Sequence, residues 1–341
     1  MAVTKISLRL ADWPERDRAL WLANTTRGNP FDHPNPANRL AAPSIKKAAH
    51  GYGRWLGFLA AHGWLDPGAH PADRVTRERL LMYFEEMRAN GNRDHTVVGR
   101  FQELHCAMRI LAPERDMSWI RRPFGRTVRS VLTMGKRNFP VPDSKVVFDW
   151  ALELTDAAAA ALEIPANLVL FRDGLLLAML ASRGRRSRAM AGIRIDHELI
   201  RVGDHYRIEL PPELVKTKRR DHFDLPIRLT PHIDLYLAKV RPALLAGRQS
   251  DWLWITNRGG RQSQKSMSHQ VAARTARAFG TGFGPHRFRY AITTSAALRA
   301  PSCPGLAVGV LATSSAVLEE HYNRAGQIEA TLRFNKLIDG S

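Results

Sequence analysis

From Ser44 onward the apolar residues recur with a helical period. In SIKKAAHGYGRWLGFLAAHGWL, Ala48, Tyr52, Trp55, Leu56, Leu59 and Ala60 fall on one stripe, with Ser44 as N-cap and Gly63 near the end. The same spacing predicts helices over 76–90, 95–111 and 125–136, so residues 43–137 read as a small all-helical domain. Ahead of it, residues 1–42 read as an arm, because the prolines of NPFDHPNPANRLAAPS cannot sustain a regular element. After it, the two prolines of NFPVPDSKV mark 138–146 as a linker.

A second domain is expected over 147–341. It begins with an Ala-rich helix carrying Asp156 in its first turn. LVLFRDGLLLAMLASR, residues 168–183, is apolar almost all round and reads as a central core helix ending at Gly184. Period-two alternation then predicts short strands at 192–195, 205–210 and 222–227, forming a small antiparallel sheet. Helices are expected over 229–246 and 266–279, with a buried segment, DWLWIT, between them. The remaining chain is helical, and its tail, AGQIEATLRFNKLIDGS, is one amphipathic helix that packs either in cis or on a neighbouring protomer. The fold class is therefore mostly α with a small antiparallel β-sheet in the C-terminal domain.

Charge narrows the partner. Across 341 residues Lys and Arg outnumber Asp and Glu by 51 to 32, a net charge of +19 that suits a polyanion. Up to Pro142 there are 23 basic and 13 acidic residues, leaving 28 and 19 for the rest, so both halves are expected to meet it. Nucleic acid comes first and an anionic membrane surface second. The start, MAVTKISLRLADWPERDRAL, has charges where a signal peptide needs an apolar run, and no stretch is expected to span a membrane. Cys106 and Cys303 lie far apart without metal-like spacing and read as reduced core thiols of a cytoplasmic, nucleoid-associated protein. Arg121, Arg122, Arg126, Arg129 and Arg137 crowd around the expected helix at 125–136, where their repulsion is relieved by phosphates, so they are candidate DNA contacts.

The candidate chemistry lies in GPHRFRYAITTSAALRAPSCPGLAVGVLATSSAVLEEHYNRA, residues 284–325. His286 and Arg289, three apart on a helix, put an imidazole and a guanidinium side by side. A guanidinium forks onto two phosphate oxygens, and an imidazole donates to a third or takes a proton. Upstream stand Arg186, two after Gly184, and Lys218 in VKTKRRDHFDLPI; downstream stands Tyr322 in EEHYNRA. In this order and spacing the chain resembles the tyrosine recombinases, the phage-integrase-like site-specific recombinases, from the linker to its end. The N-terminal helices resemble that family's core-binding domain.

The resemblance implies a catalytic set. Arg186 stands for the family's arginine after the core helix, with Arg185 and Arg188 crowding the assignment as further DNA contacts. Counting back from Pro226 makes Lys218 the hairpin lysine, with Lys216 as the runner-up. His286 and Arg289 form the His-x-x-Arg pair, and Tyr322 is the nucleophile, nine residues after Thr313. Two residues depart from the pattern: Thr313 where a histidine or tryptophan is usual, and Ala189 where an acidic residue is usual. A threonine hydroxyl still hydrogen-bonds a phosphate oxygen but brings no charge. Tyr290, beside Arg289, is the competing tyrosine and is expected in the core.

What this implies is a cut-and-rejoin reaction through a 3′-phosphotyrosyl link, with no metal, nucleotide or other cofactor. It implies double-stranded DNA with paired half-sites as partner, a homodimer on one site and a tetramer in synapsis. Two other readings remain: a DNA-binding relative whose site has decayed, motivated by Thr313 and Ala189, and a type IB topoisomerase-like strand-relaxing enzyme.

Overall fold

Two large apolar cores and a small cluster of Ile292, Ala296, Ala307 and Leu311 organise the described residues. The computed structural model describes residues 7–26, 38, 40–134, 142–300, 303 and 305–311, and the chain divides into two compact units, Met1–Asn138 and Phe139–Ser341.

The first unit holds α1 (Glu15–Thr25), α2 (Ala42–Ala61), α3 (Arg77–Ala89) and α4 (Asp94–Leu111). The expected stripe of α2 is buried together with Phe58, except Ala60, which is exposed. Ser44 lies inside α2, because Pro43 already sits in the first turn, where a missing N–H is harmless. α3 begins where the Thr76 hydroxyl accepts the Arg79 amide at 3.3 Å, satisfying an orphan donor.

Residues 1–42 are not a free arm where they are described. Trp13 and Trp21 belong to the core, and Asp17, fully buried, accepts a fork from Arg74 at 2.5 and 3.0 Å and the Tyr52 hydroxyl at 2.6 Å. A charge this deep is tolerated only because its partners are in place. The helix expected over 125–136 is also absent from its described part. Residues 118–121 form a 3₁₀ turn and 122–134 are turns and bends, with Pro123 and a left-handed Gly125 (φ 77°) interrupting any helical run. Arg121, Arg122, Arg126 and Arg129 are exposed on this segment, and Arg137 lies outside the described residues.

The second unit is built on α5 (Ser144–Ala159) and α6 (Pro165–Arg183), which pack along each other. Asp143 caps α5 by accepting the Lys145 amide at 2.7 Å, so residues 144–146 form its first turn rather than a linker, and Asp156 lies in its last. The two helices approach so closely that a Cβ at Gly174 would stand 2.4 Å from the Thr155 hydroxyl. α6 is long and apolar enough to cross a membrane, contrary to expectation, but its residues from Phe171 to Ala181 are buried in the protein. Among them is Arg172, whose guanidinium donates to Asp173, to the Ile255 carbonyl and to Gln270.

After α7 (Ser187–Met190) comes an antiparallel sheet in the order β1 (Leu199–Val202), β2 (His205–Leu210), β3 (Asp221–Asp224), with Leu199 opposite Ile208 and Leu210 opposite Asp221. The strand expected at 192–195 is reduced to bridges at Arg194 and Ile195; the hairpin partner of β2 is β1, reached by a tight turn with Gly203 at φ 59°. β3 stops at Asp224, and a 3₁₀ turn begins at Ile227, after Pro226. The helix expected over 229–246 is α8 (Thr230–Leu235), a π-helical turn and α9 (Arg241–Leu245) in succession. α10 (Gln264–Phe279), α11 (Pro285–Arg299) and α12 (Leu306–Leu311) complete the described chain. Cys106 is half-buried and Cys303 exposed, so Cys303 is not a core thiol. The helix expected after Tyr322 lies outside the described residues.

Gly184 closes α6 in the left-handed conformation (φ 51°), and a Cβ there would stand 2.8 Å from Ile292 and 2.9 Å from Leu311. Gly184→Ala is therefore expected to destabilise the protein by about 2–4 kcal/mol, summing left-handed strain and overpacking. The midpoint of urea unfolding measures it.

Candidate active site

The end of α6 delivers two arginines to the place where α11, α12 and the β2–β3 loop meet. Gly184 turns the chain, so that Arg185 is buried and Arg186, at the N-cap position of α7, is half-buried. Both line a cleft of about 20 Å³, together with Lys216 from the β2–β3 loop, Asp221 from β3 and Arg289 from α11. That volume holds one water and no more. A wider surface concavity, of about 650 Å³ around Leu245 and Arg248–Asp251, shares none of these side chains.

Arg289 is 7% exposed, and its two terminal nitrogens donate to the Gly184 carbonyl at 3.1 Å and the Leu311 carbonyl at 3.2 Å. The Gly184 carbonyl lies at the C-cap of α6, where no intrahelical donor reaches it, and the same guanidinium ties it to α12 through Leu311. Burial, reinforced by the charges of Arg186 and Arg185 and opposed by Asp221, pushes Arg289 down to about 10, which keeps it cationic at neutral pH.

Arg185 is not an open DNA contact. It donates to an Asp221 carboxylate oxygen at 2.9 Å, and its Nε lies 2.8 Å from the other. It also donates to the Val310 carbonyl at 2.6 Å and stacks over Phe223 at 4.3 Å. Desolvation pulls its guanidinium below the usual range, with Asp221 opposing. Arg186 has no ion-pair partner among the described residues, and Arg188 is exposed on α7.

The lysines separate. Lys216 lines the cleft, whereas Lys218 does not; it is exposed, with φ 52°, and its amide closes a turn onto the Val215 carbonyl at 3.0 Å. The count back from Pro226 assumes an extended strand, but the loop at 211–220 is a succession of turns, which moves the register.

Arg289 turns into the protein, while His286 is exposed in the first turn of α11, with its ring edge-on to Tyr290 at 5.2 Å. Tyr290 is accordingly half-buried rather than a core residue. Thr313 and Tyr322 lie outside the described residues, which stop at Leu311, the residue Arg289 holds.

No family model and no curated protein sequence matches the chain. Among solved structures it is similar to a XerH site-specific recombinase bound to difH substrate in a pre-cleavage complex, at TM-score 0.58 and 13% identity, covering 96% of this chain and 98% of that one. A post-cleavage complex of XerH on a palindromic difH substrate is similar at TM-score 0.56 and 13% identity, covering 97% and 98%. The chain has the tyrosine recombinase fold. Arg185, Arg186, Lys216 and Arg289 are the basic residues that line the narrow cleft.

Sequence reasoning missed Asp221. Its signal was a single acid closing the basic run KTKRRD, where only a specific cationic partner explains it. Removing the donor at Arg289 leaves two buried carbonyls unpaired, so Arg289→Met is expected to lower stability by about 1–3 kcal/mol even without DNA. Chemical unfolding of the free protein measures this, and an unchanged midpoint would mean that water replaces the guanidinium.

Proposed function

We propose that the protein is a site-specific DNA recombinase, cutting and rejoining strands through a 3′-phosphotyrosyl intermediate on Tyr322. The observation that carries this reading is the convergence of Arg186, Lys216 and Arg289 on one cleft, at the end of the chain segment that leads to Tyr322. The likeness to XerH on its DNA substrate supports it at the level of fold, and function is argued from the site.

A phosphodiester repels nucleophiles, and the pentacoordinate transition state gathers more charge on its equatorial oxygens. Arg186 and Arg289 meet that charge, and Thr313 adds a neutral hydroxyl. A phenol with pKa of about 10 needs help to attack at neutral pH, and His286 takes its proton. The Tyr322 oxygen bonds to phosphorus as the bond to the 5′ oxygen breaks. Lys216 gives that oxygen its proton. A 5′ hydroxyl of the second strand reverses the attack, releasing Tyr322, so the energy of the original bond is conserved. Access of a phosphate requires the narrow cleft to open, with Arg289 exchanging one carbonyl for a phosphate oxygen.

Duplex DNA is the partner, bound as paired half-sites by a homodimer and synapsed as a tetramer. The exposed Arg121, Arg122, Arg126 and Arg129 supply phosphate contacts from the first unit, and Arg188 from the second. A second reading, a DNA-binding protein with a decayed site, is favoured by Ala189 and Thr313 and by the engagement of Arg289 with backbone carbonyls.

The two readings separate in cells expressing the protein, by detergent precipitation of covalent protein–DNA adducts and sequencing of the trapped DNA. Wild type is expected to trap one recurrent sequence. Tyr322→Phe traps none, and Lys216→Ala is expected to lower the yield by about a hundredfold, far more than Lys218→Ala. Absence of adduct in wild type sinks the recombinase reading. Separately, Arg126→Ala is expected to reduce the slope of log affinity against log salt by about 1, measured on a duplex of arbitrary sequence.

A further inference from the structure

One buried ion pair joins the two segments that carry the reacting groups. Arg185, 5% exposed, leaves the end of α6 and touches β3 through Asp221, α12 through the Val310 carbonyl at 2.6 Å, and the β3 ring of Phe223 at 4.3 Å. Asp221 is the first residue of β3 and so ends the loop that bears Lys216; Val310 stands in the last turn of α12, just ahead of the segment with Thr313 and Tyr322. Asp221 is also the one carboxylate among the described residues lining the cleft, beside the buried Arg185 and Arg289, the half-buried Arg186 and the exposed Lys216. Like charges drawn out of water need a counter-charge. Ala189, where an acid is expected, lines the same cleft and supplies none.

We propose that Arg185 and Asp221 are positioning residues for strand transfer, a clamp that holds the Lys216 loop and the end of α12 in one register, with Asp221 furnishing from β3 the carboxylate missing at position 189. The role in catalysis rests on the recombinase reading; the clamp does not. The fork geometry is specific to arginine, because a guanidinium bonds a carboxylate and a carbonyl at once whereas an ammonium offers a point charge. With the pair intact, the Lys216 loop and α12 are held in a fixed register at the cleft. With it broken, each segment moves independently.

Two measurements on the full chain test this separately. In hydrogen–deuterium exchange of the free protein, Arg185→Gln and the milder Arg185→Lys are expected to speed exchange together in peptides covering 211–224 and 306–311, with α5 unchanged. Loosening of one segment alone, or of neither, overturns the clamp whatever the protein does to DNA. In the adduct assay, Asp221→Asn is expected to lower covalent trapping by about tenfold or more through misplacement of the reacting groups. Its affinity for a duplex of arbitrary sequence should stay within about twofold, since phosphate contacts elsewhere set it. Adding Ala189→Asp to Asp221→Asn is expected to restore part of the trapping. Undiminished trapping by Asp221→Asn, or an equal fall in trapping and affinity, overturns the positioning role. If wild type traps nothing, the recombinase reading and the positioning role fail together, while the exchange result still decides the clamp.

Discussion

Guanidinium groups taken out of water must find acceptors, and helix ends taken out of water must find donors. The second unit answers both needs at one point. Arg289 bonds the Gly184 carbonyl at the C-cap of α6 and the Leu311 carbonyl of α12, and Arg185 bonds Val310 and Asp221. Each pairing satisfies groups that would otherwise be buried and unmet. The two guanidinium groups are thereby held in fixed directions by the protein's own acceptors.

The rest of the unit serves that junction. α6 reaches it through a core so tight that Gly174 must be glycine for α5 to pass, and so enclosed that Arg172 is held by three acceptors. Gly184 then lets α11 and α12 close over the turn. The first unit uses the same device for a different end: the buried Asp17, Arg74 and Tyr52 tie α1 to the body of the unit. In both units a paired charge fixes where a helix lies, at the expense of desolvation that apolar residues would avoid.

Elements with a single apolar face were legible from periodicity. α2, α3, α4 and α10 fall close to where their stripes predict, because burial of one face drives them, and α6 was legible as an apolar run buried on all sides. The segment at 125–136 misled because its apolar residues recur with helical spacing while Pro123 and Gly125 interrupt the backbone at its start. β1 escaped because four residues, LIRV, alternate too briefly to distinguish from a loop. Lys218 was reached by counting back from Pro226 as the family resemblance implies, and that count does not show which of two lysines in a loop of turns lines the cleft.

By itself the order of residues determined the helical character of both units, the position of the core helix, the basic excess and the sequence in which Arg186, a hairpin lysine, Arg289 and a tyrosine follow one another. Those properties are local or additive, so they survive without coordinates. Which lysine faces the cleft, that Arg289 turns inward while His286 stays outside, and that Arg185 is neutralised by Asp221 were decided only by the tertiary structure. Each depends on pairing between residues remote in sequence, and no periodicity encodes that.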